Sequence, residues 1–165
     1  MQTVFKSYIH FMNFVNKVVG WLLAAIIAFM TVLISWQVFA RYVAGNSLTF
    51  SEEISRFLMI WMTLLGAAYA LRKGTLVAVE LLPDILKGKW ARIVKIVANV
   101  MAMIFYILLI KYGWEMAQSV AFQRTPATGI SMFWPMLALS VGGLLMLLNA
   151  IVVVIEEIIG KEEEK

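Results

Sequence analysis

The charges of this chain fall in clusters and leave four long apolar stretches between them. Residues 18–40 hold 23 positions without Asp, Glu, Lys or Arg, residues 57–71 hold 15, residues 96–110 hold 15 and residues 125–155 hold 31. A helix rises about 1.5 Å per residue and needs about 20 mostly apolar residues to cross ~30 Å of hydrocarbon. The first and last stretches qualify by length alone. The middle two are extended by their flanks. Arg56 can pair or snorkel, so the second span can begin near Ile54. Arg92 and Lys95 have long stems that can lie along the third span while their heads reach the interface. The pattern predicts spans at about 18–40, 54–71, 92–113 and 131–154. These stretches are too long for barrel strands and lack strict alternation. Pro83 falls in a loop and Pro126 precedes the last span. Pro135 lies in that span's first turns, where a missing N–H costs least. The predicted fold class is all-α: one polytopic membrane domain over 1–165 with four transmembrane helices and short amphipathic interfacial helices.

The ends of the spans carry the orientation. Lys6, Lys17, Arg72, Lys73, Lys87, Lys89, Arg92, Lys95, Lys161 and Lys165 lie on one side, and Arg41, Arg56, Lys111 and Arg124 on the other. Ten against four places both termini in the cytoplasm. Trp36, Tyr42, Tyr112, Trp114 and Trp134 fall at the outer ends and Trp21 and Trp90 at the inner ends, as an aromatic belt does. Residues 1–17 place Phe5, Tyr8, Ile9, Met12 and Val15 at helical spacing. They form either an amphipathic helix on the membrane surface or an extension of span one. Val38-Phe39-Ala40 resembles a signal cleavage site, but the apolar run before it exceeds the ~7–15 residues of a signal peptide's core. Residues 156–165 read as a charged, solvated tail.

Composition narrows the function classes. The chain is 62% hydrophobic and 15% charged, with a mean hydropathy of +0.87. Soluble domains run near ~45–50% apolar and ~25% charged. A soluble enzyme and a disordered protein are excluded. The net charge of +4 does not indicate nucleic-acid binding, because the basic residues flank apolar runs; the bilayer is the partner. Cysteine is absent and His10 is the single histidine. Disulfides, thiol catalysis, paired-histidine haem and multi-histidine metal sites are therefore out, and no cofactor is expected.

The densest polar cluster runs from Gln37 to Arg56 and includes Arg41, Asn46, Ser47, Ser51, Glu52 and Glu53. Ser47 or Ser51 can cap a helix, and carboxylates suit its first turn. Glu52 and Arg56 are spaced i, i+4 and Glu53 and Arg56 i, i+3, so each pair can meet. This reads either as a capped helix start with an exposed ion pair or as an interfacial charge network gripping a partner. Adjacent carboxylates diverge on a helix and no nucleophile–base arrangement is visible, so no enzyme is expected. Gly66/Ala70 and Ala138/Gly142 are small-xxx-small pairs that let helices approach closely, within this chain or against another. Asn99 and Asn149 lie inside spans three and four, where an amide most often bonds a neighbouring helix. Thr125-Pro126-Ala127-Thr128-Gly129 is a turn-prone stretch opening span four. No span centre carries a charge, which is unlike an ion-coupled carrier site.

The string Gln37-Val38-Phe39-Ala40-Arg41-Tyr42, then Ser47, Ser51-Glu52-Glu53-Ile54-Ser55-Arg56, Ile60-Trp61, Leu65-Gly66-Ala67-Ala68, Arg72-Lys73-Gly74 and Leu82-Pro83 resembles the small membrane subunit of tripartite ATP-independent periplasmic (TRAP) transporters, the DctQ/SiaQ type. Gln123-Arg124-Thr125-Pro126-Ala127, Trp134 and Gly142 fit more loosely. One departure is Thr75-Leu76, where the family pattern has a histidine after the glycine. The resemblance implies a bacterial inner-membrane subunit that pairs with a large multi-span permease subunit carrying the substrate and sodium sites. A soluble periplasmic substrate-binding protein would deliver a carboxylate-bearing solute such as sialic acid or a C4-dicarboxylate. The large subunit would move in an elevator-like stroke, and the small one would steady its static scaffold. On this reading Arg41, Glu52, Glu53 and Arg56 organise the outer junction and contact the large subunit, with Trp61 and Gly66 along the seam. The outer loops 41–53 and 114–130 would face the binding protein. A self-contained small multidrug exporter, or an accessory subunit of another membrane complex, are the competing readings.

Overall fold

In the computed structural model the described residues are 2–43, 45, 49–73 and 89–160, with side chains described at 5–43, 45, 49–73 and 97–155. Asn46, Ser47, the 74–76 segment, Leu82-Pro83, Lys87, the 161–165 tail and the side chains of Trp90, Arg92 and Lys95 lie outside them. Four helices account for nearly all of the rest: α1 (Gln2–Tyr42), α2 (Thr49–Arg72), α3 (Lys89–Ser119) and α4 (Phe133–Gly160). All four are long and apolar enough to cross a membrane. Among the described residues no strand forms beyond an isolated antiparallel bridge between Arg124 and Ser131.

The helices stand in a row, in the order α1, α2, α4, α3. Helix α4 packs against both α2 and α3, while α1 packs mainly on α2 and meets α4 more lightly, at the end that holds the chain termini. Among the described residues no α2 residue comes within 8 Å of α3 at Cα. The sequence of α4 explains its central place. It carries two adjacent glycines, and neighbouring helix positions point about 100° apart. A Cβ on Gly142 would stand 2.7 Å from Cβ of Leu64 in α2, and one on Gly143 would stand 3.3 Å from backbone atoms of Ile110 and Tyr106 in α3. One glycine thus admits each neighbour. Gly113 of α3 completes the second contact, with Ser140 Oγ donating to the Ile110 carbonyl at 3.0 Å. Close backbone approach through small residues is how helices associate in lipid, where apolar burial gives no driving force.

Helix α1 is 41 residues long, about 60 Å, or twice the hydrocarbon thickness. It continues without a break from the N-terminal segment into span one. Its inward stripe runs Tyr8, Met12, Asn16, Val19, Leu23, Ile26, Met30, Leu33, Gln37, Ala40. These steps of three and four keep one face toward α2 and α4. Most of the other described α1 side chains are exposed, including Phe14, Trp21, Val32 and Trp36.

Polar atoms pin this row at the end that holds the chain termini. Asn16 Nδ2 donates to Asn149 Oδ1 at 2.7 Å and to the Met12 carbonyl at 2.8 Å. Asn149 Nδ2 donates back to Asn16 Oδ1 at 3.1 Å and to the Ala68 carbonyl at 2.8 Å. Asn149 therefore bonds neighbouring helices, as an amide in a span should, and ties α1, α2 and α4 at one point. The Tyr8 hydroxyl donates to the Leu148 carbonyl at 3.2 Å, a second link from α1 to α4. Arg72, the last-turn cation of α2, donates through Nε and Nη2 to Asn13 Oδ1.

Candidate functional site

The polar cluster expected between spans one and two sits at the opposite end, where α1 leads to α2 and α3 leads to α4. Two local features make that end. Helix α1 stops after Tyr42, with the Val43 N–H still bonding the Phe39 carbonyl, and Gly45 stands at φ +66°, a left-handed conformation that glycine adopts without a Cβ penalty. Helix α4 begins on a cap: Ser131 Oγ accepts from the Phe133 N–H at 3.2 Å. The same hydroxyl donates to the Ala121 carbonyl at 2.6 Å, so it also closes the preceding turn. Pro135 is buried in the first turn of α4, as expected.

Glu53 is the centre of this end. Its Oε1 accepts from the Ala127 N–H at 2.9 Å, and its Oε2 accepts from the Thr128 N–H at 2.9 Å and the Thr128 hydroxyl at 2.8 Å. Thr128 in turn shares a 2.7 Å hydrogen bond with Thr125 Oγ1. The turn is set by its own backbone: Gly129 stands at φ +68° with its N–H on the Thr125 carbonyl, and Thr125 N–H bonds the Ile130 carbonyl. Arg124 Nη1 donates to the Gly129 carbonyl at 3.1 Å. Both oxygens of an ionised, acceptor-only carboxylate are matched by converging donors. The first turn of α2 is thereby clasped to the α3–α4 turn.

The other expected residues divide. Glu52 accepts from Gln37 Nε2 at 3.0 Å, which ties the start of α2 to the end of α1. Its i, i+4 partner Arg56 approaches to 4.0 Å, a loose pair with the Arg56 side chain 75% exposed. Arg41 is exposed in the last turn of α1, where a cation suits the helix end. Trp61 spends its indole N–H on the Trp134 carbonyl at 3.2 Å, inside the chain. Gly66 is open: a Cβ there would meet nothing within 4 Å. The second small-residue pair is internal, with Ala138 fully buried and Gly142 against Leu64. Beside the clasp, a groove of about 400 Å³ opens between α2 and α4, with Arg56 and Arg124 at its edge and Phe57, Ile60, Met132 and Met136 lining it.

The spacing argument paired Glu53 with Arg56 and left the Thr125–Gly129 stretch as a simple turn. The structure joins Glu53 to that turn instead. Two consecutive N–H groups before a left-handed glycine are the signal that marks such a carboxylate receptor. Among the described residues no three of His, Cys, Asp and Glu gather as a metal site requires.

Residues 30–160 match the family described as tripartite ATP-independent periplasmic transporters, DctQ component. The chain belongs to this family. It is similar to a putative TRAP transporter small permease protein of Haemophilus influenzae, at 30% identity over 81% of this chain and 83% of that one. It is likewise similar to the sialic acid TRAP transporter small permease protein SiaQ of Vibrio cholerae, at 32% identity over 76% and 70%. A third relative, the sialic acid TRAP transporter permease protein SiaT of Haemophilus influenzae, matches 85% of this chain at 28% identity, but only 23% of its own length. A segment like this DctQ-type chain therefore also occurs within a much longer permease polypeptide. The DctQ component is a transporter part and not an enzyme class, and with four membrane-spanning helices this member is a multi-pass membrane protein.

Proposed function

We propose that this chain is the small permease subunit of a secondary, sodium-coupled TRAP transporter that imports a carboxylate-bearing solute, sialic acid or a C4-dicarboxylate being the solutes its relatives' names carry. Its work is mechanical: it widens and steadies the fixed part of the large elevator-type subunit. The observation that carries this reading is the single row of helices. A row turns two broad apolar faces outward, so the chain can cover a partner on one and meet lipid on the other. The relative in which a similar segment shares one polypeptide with a longer permease supports a lasting association of the two parts.

Within this reading Arg41, Glu52, Arg56 and Gly66 present the surface to the large subunit. Glu53 and Trp61 hold that surface in shape from within, through the 127–128 turn and the Trp134 carbonyl. The chain sits in the bacterial inner membrane with both termini cytoplasmic, so the clasped end faces the periplasm and stands where a soluble binding protein arrives. The test is co-purification of the two membrane subunits and sodium-dependent uptake in vesicles after Arg56→Ala and Glu52→Ala. Loss of complex in either is expected; undiminished complex and uptake in both would remove the interface. Solute movement by this chain alone would instead favour a self-contained exporter.

A further inference from the structure

At the end that holds the chain termini, α1 and α2 enclose a cleft of about 470 Å³ lined by Asn13, Asn16, Lys17, Tyr69, Arg72 and Lys73. The two helices contribute the same pattern, residues 13, 16 and 17 from one and 69, 72 and 73 from the other, each an i, i+3, i+4 set on one face. Three of the six are cations, and among the described residues no carboxylate lines the cleft. Lys73 Nζ lies 5.7 Å from the centre of the Tyr69 ring, and the Arg72 guanidinium is held against Asn13. The floor is fixed too: Gly20 lets the Tyr69 ring pack within 3.1 Å of where a Cβ would stand.

The depth of this cleft is set by the sequence. Lys17 is the last charge before the apolar run of α1, and Arg72 the first after that of α2. Both stand at the level where hydrocarbon gives way to headgroups. Further along the same seam lies an apolar groove of about 530 Å³, lined by Ile27, Met30, Thr31, Ile34, Ser35 and Met62. It is on the same side of the seam. Asn13 and Thr31, Asn16 and Ile34, and Lys17 and Ser35 are each 18 residues apart, which is five whole turns at about 3.6 residues per turn. From Lys17 to Ile27 is about 15 Å of rise, about half the ~30 Å hydrocarbon core and so one leaflet's acyl layer.

We propose that this seam binds one anionic diacyl phospholipid, its phosphate between Lys17 and Lys73 and the end of an acyl chain at the near edge of the groove, at Ile27 and Met62. Basic pockets between transmembrane helices hold acidic headgroups in this way, and each lysine near the surface favours them roughly fivefold. The site does not depend on which solute is transported, and the isolated chain suffices to test it.

The test is native mass spectrometry of the full chain released from detergent with equimolar phosphatidylglycerol and phosphatidylcholine. A preference for phosphatidylglycerol adducts of roughly tenfold or more is expected. Lys17→Gln with Lys73→Gln should bring the ratio close to one, while the charge-matched Lys6→Gln with Lys111→Gln leaves it in place. Met62→Trp, which fills the groove, should weaken phosphatidylglycerol adducts with both lysines intact. An unchanged ratio in the Lys17/Lys73 variant, or equal loss in the charge-matched control, would overturn the site. Inorganic phosphate bound by the same lysines, with no preference between the two lipids and no response to Met62→Trp, would make the occupant a free anion and also overturn it.

Discussion

Replacing Asn149 with leucine tests the tie between α1, α2 and α4. The side chain is fully buried and makes three hydrogen bonds outside its own helix: two exchanged with Asn16 and one given to the Ala68 carbonyl. Interhelical hydrogen bonds in membrane proteins average ~0.6 kcal/mol and reach ~1.7. The loss should be about 2 kcal/mol, because the substitution also strands Asn16 Oδ1 in an apolar setting. Removing both amides should cost less than removing either alone, since the Asn16→Leu/Asn149→Leu pair leaves no stranded group. The coupling between the two single variants should then exceed about 2 kcal/mol. The assay is reversible unfolding of the full chain in mild-detergent micelles with rising dodecyl sulfate, read by helical circular dichroism. Hydrogen exchange over residues 8–19 supplies a local readout, because the N-terminal part of α1 meets α4 through these contacts and the Tyr8 bond. A single variant within ~0.5 kcal/mol of wild type, or two single effects that simply add, would refute the reasoning.

Four further outcomes follow from the same geometry. Glu53→Gln replaces one acceptor oxygen with a donor facing backbone N–H groups, so amide exchange at Ala127 and Thr128 should rise roughly tenfold while α2 itself stays protected; unchanged exchange would mean the turn holds itself. Gly142→Val should force α2 from α4, given the 2.7 Å approach of Leu64 Cβ to the new Cβ, and should lower the unfolding midpoint well beyond the effect of Gly66→Val. Gly66→Val should leave the isolated chain's stability within about 0.5 kcal/mol but lower recovery of the large subunit; equal recovery would take Gly66 off the interface. Ser131→Ala should cost about 1 kcal/mol through the lost α4 cap and Ala121 contact, read by the same unfolding assay, and a neutral result would show the cap to be solvent-replaceable.

How much of this was legible in the sequence depends on which physics wrote it. Span positions follow from hydrocarbon thickness, which charge spacing reports directly; the four expected spans fall on α1 to α4. The tripeptides around Arg41, Glu52 and Gly66 were enough to show the family resemblance. The order of the helices was not legible. In water, apolar periodicity distinguishes core from surface, but in lipid both sides of a helix are apolar. Phe14 and Trp21 on the exposed side of α1 are as hydrophobic as Met12 and Val19 on its packed side. The Glu53 clasp was hidden for a different reason. Its partners are backbone N–H groups some 75 positions away, and every residue has such a group, so side-chain spacing carries no trace of them.

The glycines settle what side-chain hydropathy leaves open. Gly20, Gly113, Gly142 and Gly143 each stand where a Cβ would crowd a neighbouring helix of this chain, and together they specify the row α1, α2, α4, α3. Gly66 lies between these contacts along α2 and meets nothing. A transmembrane helix gains little from glycine unless something comes close, since the residue costs about 1 kcal/mol of helix stability relative to alanine. Four of the helical glycines accept that cost for a contact inside the chain. Gly66 makes sense if its contact is supplied from outside, on a face of α2 where nothing in this chain comes near it. If the chain is the fixed part proposed above, a row suits it better than a bundle: it offers a partner a long flat seam, and its own contacts do not have to open when that partner moves.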